Sequence, residues 1–173
     1  MNIIDCSYEE HATAILEILN DAITTSTALY DYQPRPLAAM APWFETKRQG
    51  GFPVIGVLGT AGQLSGFATY GTFRNWPAYK YSVEHSLYVH PEQRGRGVGS
   101  ALLTALIARA EARGVHVMVG GIDAQNHASV RFHEKFGFTH SGTIREAGFK
   151  FGRWLDLAFY QRTLATPLHP SDG

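Results

Sequence analysis

Tyr81-Ser82-Val83-Glu84-His85-Ser86-Leu87-Tyr88-Val89-His90-Pro91-Glu92-Gln93-Arg94-Gly95-Arg96-Gly97-Val98-Gly99-Ser100 changes its hydrophobic period halfway along. Up to Val89 apolar and polar residues alternate, the two-residue period of a strand with unlike faces. Val83, Leu87 and Val89 fall on one face, and Ser82, Glu84, Ser86 and Tyr88 on the other. From Val98 the spacing Val98, Leu102, Leu103, Leu106, Ala110 is that of an amphipathic helix. Between them, Gln93 to Gly99 places small residues and two cations at a helix N-terminus. Free backbone N–H groups and the positive end of the helix dipole attract phosphate there. A strand carrying the carboxylate of Glu84 therefore runs straight into a phosphate-binding turn.

On the N-terminal side, Asn2 to Cys6 reads as a short strand. Ser7 and Glu10 fit a capping box that opens a helix with Ala12, Ile15, Leu16, Leu19 and Ile23 on its core face. The polar run Thr24 to Thr27 ends it, and Leu29 to Pro34 reads as a loop. A second helix runs from Pro36 to about Arg48 and breaks at Gly50-Gly51. Pro53–Leu58 and Leu64–Thr72 form a hairpin, and Phe73 to Pro77 loops back to the central strand. Beyond the central helix, Gly114 suits the position after a helix C-terminus, and Val115 to Val119 reads as a buried strand. Asp123 to Asn126 supplies cap chemistry for a helix from His127 to Phe136. Phe138–Ile144 and Arg153–Arg162 then read as two antiparallel strands. The order β-α-α-β-β-β-α-β-α-β-β implies an α+β domain on a mixed, mostly antiparallel sheet flanked by helices.

Composition narrows the function classes. The 173 residues suit one domain, and 45% hydrophobic with 17% charged residues is ordinary for a globular chain. Fifteen Lys+Arg balance fifteen Asp+Glu, so no basic field points to nucleic acid or an anionic membrane. The single Cys6 excludes an intramolecular disulfide, and it reads as a structural thiol rather than a nucleophile. The histidines lack ligand spacing, so no metal site is expected. Met1 to Asp5 lacks leader features, and no apolar run spans a bilayer, so a soluble, cytoplasmic protein is expected. Residues 1–165 are expected to form the domain, with 166–173 as a flexible C-terminal tail.

Gly95-Arg96-Gly97-Val98-Gly99-Ser100 falls one position short of a dinucleotide fingerprint, with Ser100 where the third glycine belongs, and a P-loop fails because no Gly-Lys-Ser/Thr follows. Gln93-Arg94-Gly95-Arg96-Gly97-Val98-Gly99 instead resembles the Gln/Arg-x-x-Gly-x-Gly/Ala pyrophosphate loop of the GNAT superfamily of N-acetyltransferases. The predicted element order is similar to that fold from Asn2 to Leu164. Within it, the stretches 81–89, 126–138 and 150–156 are similar to phosphinothricin and methionine sulfoximine acetyltransferases.

The resemblance implies acetyl-CoA as acetyl donor, a small-molecule amine as acceptor, and a homodimer. Glu84, facing the acetyl end of the cofactor, becomes the candidate general base; a carboxylate near pKa ~4.3 would need burial or a bridging water to serve. Leu87, Tyr88 and Val89 would offer backbone groups to the pantetheine arm. Arg94, Gly95, Arg96, Gly97, Val98 and Gly99 would hold the pyrophosphate, and Asn126 and Ser129 would flank the arm. His133 stands where many such enzymes carry the acid that protonates the thiolate. Phe73, Arg74, Asn75, Glu84 and His85 form the candidate substrate set, with Arg74 gripping a carboxylate bidentately, although strand alternation turns His85 away from Glu84. Tyr30 and Tyr32 could close over the substrate, and the Lys150–Trp154 region could lie near a partner subunit. A peptide N-acetyltransferase and a non-catalytic acyl-CoA sensor are the alternatives.

Overall fold

The computed structural model describes residues 1–172. Its elements in chain order are β1 (Asn2–Asp5), α1 (Tyr8–Thr25), α2 (Met40–Gln49), β2 (Val54–Leu58), β3 (Leu64–Thr72), β4 (Ser82–Val89), α3 (Val98–Ala112), β5 (Val117–Asp123), α4 (His127–Lys135), β6 (Thr139–Lys150) and β7 (Arg153–Thr163). The strands form one seven-stranded sheet in the order β1-β2-β3-β4-β5-β7-β6. Every adjacent pair is antiparallel except β4 and β5, which are parallel because α3 carries the chain back between them.

Two apolar layers cover the sheet. On one face α3 buries Val98, Leu102, Leu103, Leu106, Ile107 and Ala110 against Ile55, Ala68, Tyr70 and Met118. On the other, α1 lays Ile15, Leu16, Ile18 and Leu19 over Val54, Leu64 and Phe67, with Met40 from α2. The helical stripes and strand faces read from the sequence are the surfaces that meet here.

Four local readings change. Ser7 caps α1 by accepting from Glu10 N–H, but the return bond to Ser7 N–H comes from His11 Nδ1 at 3.1 Å, not from the Glu10 carboxylate. β5 begins two residues late, because His116 and Val117 both donate to Tyr81 C=O before the ladder starts, and it runs on through Gly120-Gly121 to Asp123. The cap of α4 is therefore Asn126 alone, accepting from Ser129 N–H at 3.1 Å. β6 continues to Lys150, past two register shifts and a positive φ at Glu146.

Gly66 on β3 shows how tightly β4 and α3 meet. A Cβ there would stand 2.8 Å from Tyr88 O, 3.1 Å from Val98 Cγ1 and 3.2 Å from Leu102 Cδ1. The nearest atom is backbone and cannot move aside. Gly66→Ala is expected to cost about 1–3 kcal/mol of stability through overpacking; a thermal melt followed by circular dichroism with an unchanged midpoint would contradict this.

Candidate active site

β4 and β5 are zipped over only three pairs, Ser82↔Val117, Val83↔Met118 and Glu84↔Val119. β4 nevertheless stays paired with β3 as far as Val89, and β5 with β7 as far as Asp123. The two strands thus part beyond Glu84 and leave a wedge. Tyr81 C=O bonds toward β5 at 2.8 Å, whereas His90 N–H bonds toward β3 at 2.9 Å. Backbone direction alternates along a strand, so Leu87 and Val89 present their N–H and C=O groups to the wedge. Tyr88 directs its own backbone toward β3.

Two cavities occupy the wedge. The larger, about 650 Å³, runs from Leu87 and Val89 to Arg94, Gly97 and Gly99, with Asn126 on its far wall. The smaller, about 280 Å³, holds Glu84, Gly121 and Asp123. Leu87, Tyr88, Asn126 and Phe132 border both, so the spaces adjoin.

The larger cavity ends on the glycine-rich turn. Gly97 precedes α3 in the left-handed region (φ 82°), and no side chain caps the first helical turn. A Cβ at Gly95 would meet nothing within 4 Å, so that backbone stands open. Uncapped first-turn N–H groups on an open backbone fit a pyrophosphate. Arg94 borders the cavity and pairs with Asp21 on α1 at 3.2 Å. Arg96 is exposed and stands off the cavity wall. Asn126 Oδ1 is used in capping, which leaves its NH₂ group for a ligand. Ser129 borders the cavity and gives its carbonyl to His133.

Glu84 is partly buried, and desolvation raises its carboxyl pKa while the charge of Arg74 pulls the other way. Its Oε1 would lie 3.1 Å from a Cβ at Gly121, so the glycine leaves the carboxylate its space. The neighbouring Gly120 does the same for two histidines on the opposite face, where a Cβ would meet His85 Nε2 at 2.9 Å and His133 Nε2 at 3.2 Å. The Gly120-Gly121 pair inside an apolar strand was a readable sign of close approach.

His85 and His133 are both buried and touch Nε2 to Nε2 at 3.1 Å. His133 Nδ1 lies 2.7 Å from Ser129 C=O and so carries a proton. Neutral His133 then accepts through Nε2 from His85 Nε2–H, and His85 Nδ1 is left buried and, among the described residues, without a partner. Burial first and the second imidazole next push His85 down to about 3, and burial also lowers His133. Both ring nitrogens of His133 are therefore engaged in this geometry; His85 packs beneath α4, and both histidines border the smaller cavity together with Glu84.

The remaining substrate set lies further off. Arg74 and Asn75 border a separate hollow of about 310 Å³, and the Arg74 guanidinium lies over the Phe73 ring at 5.4 Å. Tyr30 packs on the backbone of β6, where its Cε2 would be 2.7 Å from a Cβ at Gly148, and Tyr32 donates to Phe149 C=O at 2.8 Å. The sequence reading missed Thr27, Asp123 and Lys150, whose bonds hold the Tyr30 loop to the sheet. Cys6 is partly buried, and desolvation pushes its thiol up to about 12, which fits an inert thiol.

Residues 13–138 match the acetyltransferase (GNAT) family, and the chain belongs to that family. It is 45% identical over 150 residues to an L-methionine sulfoximine/L-methionine sulfone acetyltransferase of Pseudomonas aeruginosa, covering 87% of each chain. A solved structure from Acinetobacter baylyi superposes with a TM-score of 0.98 at 60% identity, covering 99% of this chain and 96% of that one. A phosphinothricin acetyltransferase from Sinorhizobium meliloti in complex with acetyl-CoA superposes at 0.92 with 35% identity, covering 98% and 91%. The α+β fold, the enzyme class and the acetyl donor expected from the sequence all stand.

The histidine pair makes stability depend on pH. His85 stays neutral in the folded chain down to about 3, whereas the unfolded imidazole protonates below 6.5. Between these values the unfolded chain binds more protons, so stability falls as pH drops below 6.5. About 2 kcal/mol should be lost between pH 6.5 and 5, at about 1.4 kcal/mol per unit. Urea titrations across that range should show His85→Gln with a flatter profile than wild type, and parallel profiles would contradict the neutral pair.

Proposed function

We propose that this GNAT enzyme moves the acetyl group of acetyl-CoA directly onto the α-amino group of a small amino-acid analogue, with Glu84 as general base. Methionine sulfoximine, methionine sulfone and phosphinothricin are the proposed acceptors, in keeping with the names of its relatives. One observation carries the mechanism. The half-buried carboxylate of Glu84 stands at the last zipped pair of β4 and β5 and borders the smaller cavity, which adjoins the larger one along Leu87, Tyr88 and Asn126.

Acetyl-CoA would lie along the wedge with its pyrophosphate on the Arg94–Gly99 turn and its pantetheine amides against Leu87 and Val89, as an added strand pairs with an open edge. An ammonium substrate first gives up a proton, to Glu84 or to a water held by it. Its raised pKa makes Glu84 a better acceptor than an exposed carboxylate. The amine lone pair then attacks the thioester carbon, the tetrahedral oxyanion collapses as the C–S bond breaks, and the proton shed by the attacking nitrogen passes to the departing thiolate, giving the amide and CoA thiol. Wedge-facing backbone N–H groups of β4 are the donors available to the oxyanion, a role worth about 3–4 kcal/mol per donor. Arg74, close enough for its charge to be felt at Glu84, is the proposed anchor for the substrate carboxylate. We assign His133 to positioning rather than proton donation, because His85 and Ser129 take both of its nitrogens.

A homodimer and a cytoplasmic location complete the reading. β6 is an edge strand, and Ile144, Phe149, Phe151 and Trp154 on the β6–β7 hairpin are about half exposed (46–59%), which favours a covering partner. Residues 1–165 are taken as the catalytic domain and the stretch from 166 as its tail, of which Gly173 lies outside the described residues.

Release of CoA thiol with the three analogues, against polyamines, aminoglycosides and short peptides, tests the assignment. Turnover confined to peptides, or absent throughout, would contradict it. Glu84→Gln should lower kcat by about 100-fold or more, while acetyl-CoA affinity stays within about twofold.

A further inference from the structure

The segment that fronts both cavities has no regular structure of its own. Ser26 and Ala28 border the larger cavity, Ala28 and Leu29 the smaller. From Ser26 to Pro36 the chain is neither helix nor strand. α1 ends at Thr25 with no basic residue in its last turn, so its negative carbonyl end has no charge complement on its own helix.

Lys150 supplies that complement from the far end of β6. Its Nζ donates to Ile23 C=O at 2.7 Å, Ser26 C=O at 2.9 Å and Leu29 C=O at 2.6 Å. Three donors to three carbonyls are the full capacity of an ammonium group. The residue is 4% exposed and among the described residues makes no ion pair, so all its hydrogen-bond donors go to these carbonyls, with the Phe151 ring 5.0 Å from Nζ. A second tether lies next to it. Thr27 Oγ1 donates to Asp123 Oδ2 at 2.7 Å, and Arg153 Nη2 holds the same oxygen at 2.6 Å. The front wall is thus fastened to β6 through Lys150 and to β5 through Asp123, which Arg153 of β7 holds in turn.

We propose that Lys150 is a positioning residue for acetyl transfer: by gripping the carbonyls of Ile23, Ser26 and Leu29 it fixes the wall shared by the acetyl-CoA and amine sites. This rests on the assignment of the two cavities made above. Loss of the grip should weaken both ligands together, whereas a residue that only stabilised the fold would reduce the folded fraction and leave affinities alone.

Lys150→Met keeps the unbranched stem and removes the charge and donors. Thr27→Val removes one hydroxyl tether with little change of shape. Acetyl-CoA Kd by calorimetry, KM for methionine sulfoximine and kcat per folded site are measured beside the thermal midpoint. Lys150→Met is expected to raise both Kd and KM about tenfold, with kcat per folded site changed less than about threefold. Thr27→Val should shift both in the same direction by less. A lowered midpoint with wild-type Kd and KM would overturn the proposal. If Lys150→Met does not fold, Thr27→Val decides alone: raised values support the proposal and unchanged values overturn it. A wild-type protein that binds acetyl-CoA but transfers to no amine would sink the assigned reaction, while the calorimetric Kd would still judge Lys150.

Discussion

Between β4 and β5 the parallel ladder stops after Glu84, although both strands continue. Backbone groups left unpaired inside a protein carry a penalty comparable to a lost hydrogen bond. A sheet that opens in its middle therefore needs something else to occupy the opening. Here the exposed edge of β4 faces a long cavity that ends on an uncapped helix N-terminus. A ligand with amides along its length and phosphate at one end satisfies both sets of groups, and acetyl-CoA has that form. The glycines of β5 complete the arrangement, Gly121 by admitting the Glu84 carboxylate and Gly120 by admitting the histidine pair.

The two ends of the wedge rest on different physics. The phosphate end depends on backbone geometry, through the left-handed Gly97 and the free first turn of α3. Chemistry at the other end depends on side chains held in low dielectric: Glu84 shifted up by desolvation, and two histidines kept neutral on the reverse face. At the phosphate end α1 lines the front with Ile18 and Ala22 and pairs Asp21 with Arg94. The wall shared by both cavities is the stretch after α1, held in place by Lys150, Thr27 and Asp123.

Much of this was legible in the chain because period and punctuation agreed. The switch at residues 89–98 located β4, the turn and α3, and the hydrophobic stripes of α1 and α3 named the core. What failed shares a cause. The late start of β5 and its extension through two glycines follow from Tyr81 C=O and from side chains on β4, not from local propensity. β6 was cut short because an almost fully exposed edge strand with register shifts shows no two-residue alternation. Within the site, the glycine turn announced itself, whereas the engagement of His133 Nε2 depends on His85, 48 residues away, and the Lys150 grip spans more than 120. Contacts of that range leave no signature in spacing.

A crystal grown with acetyl-CoA locates the donor. The pyrophosphate is expected on the N–H groups of the Arg94–Gly99 turn, the pantetheine amides bonded to Leu87 and Val89, and the acetyl carbonyl at the Glu84 end of the wedge. A donor bound elsewhere, or one whose acetyl group points away from Glu84, would contradict this placement.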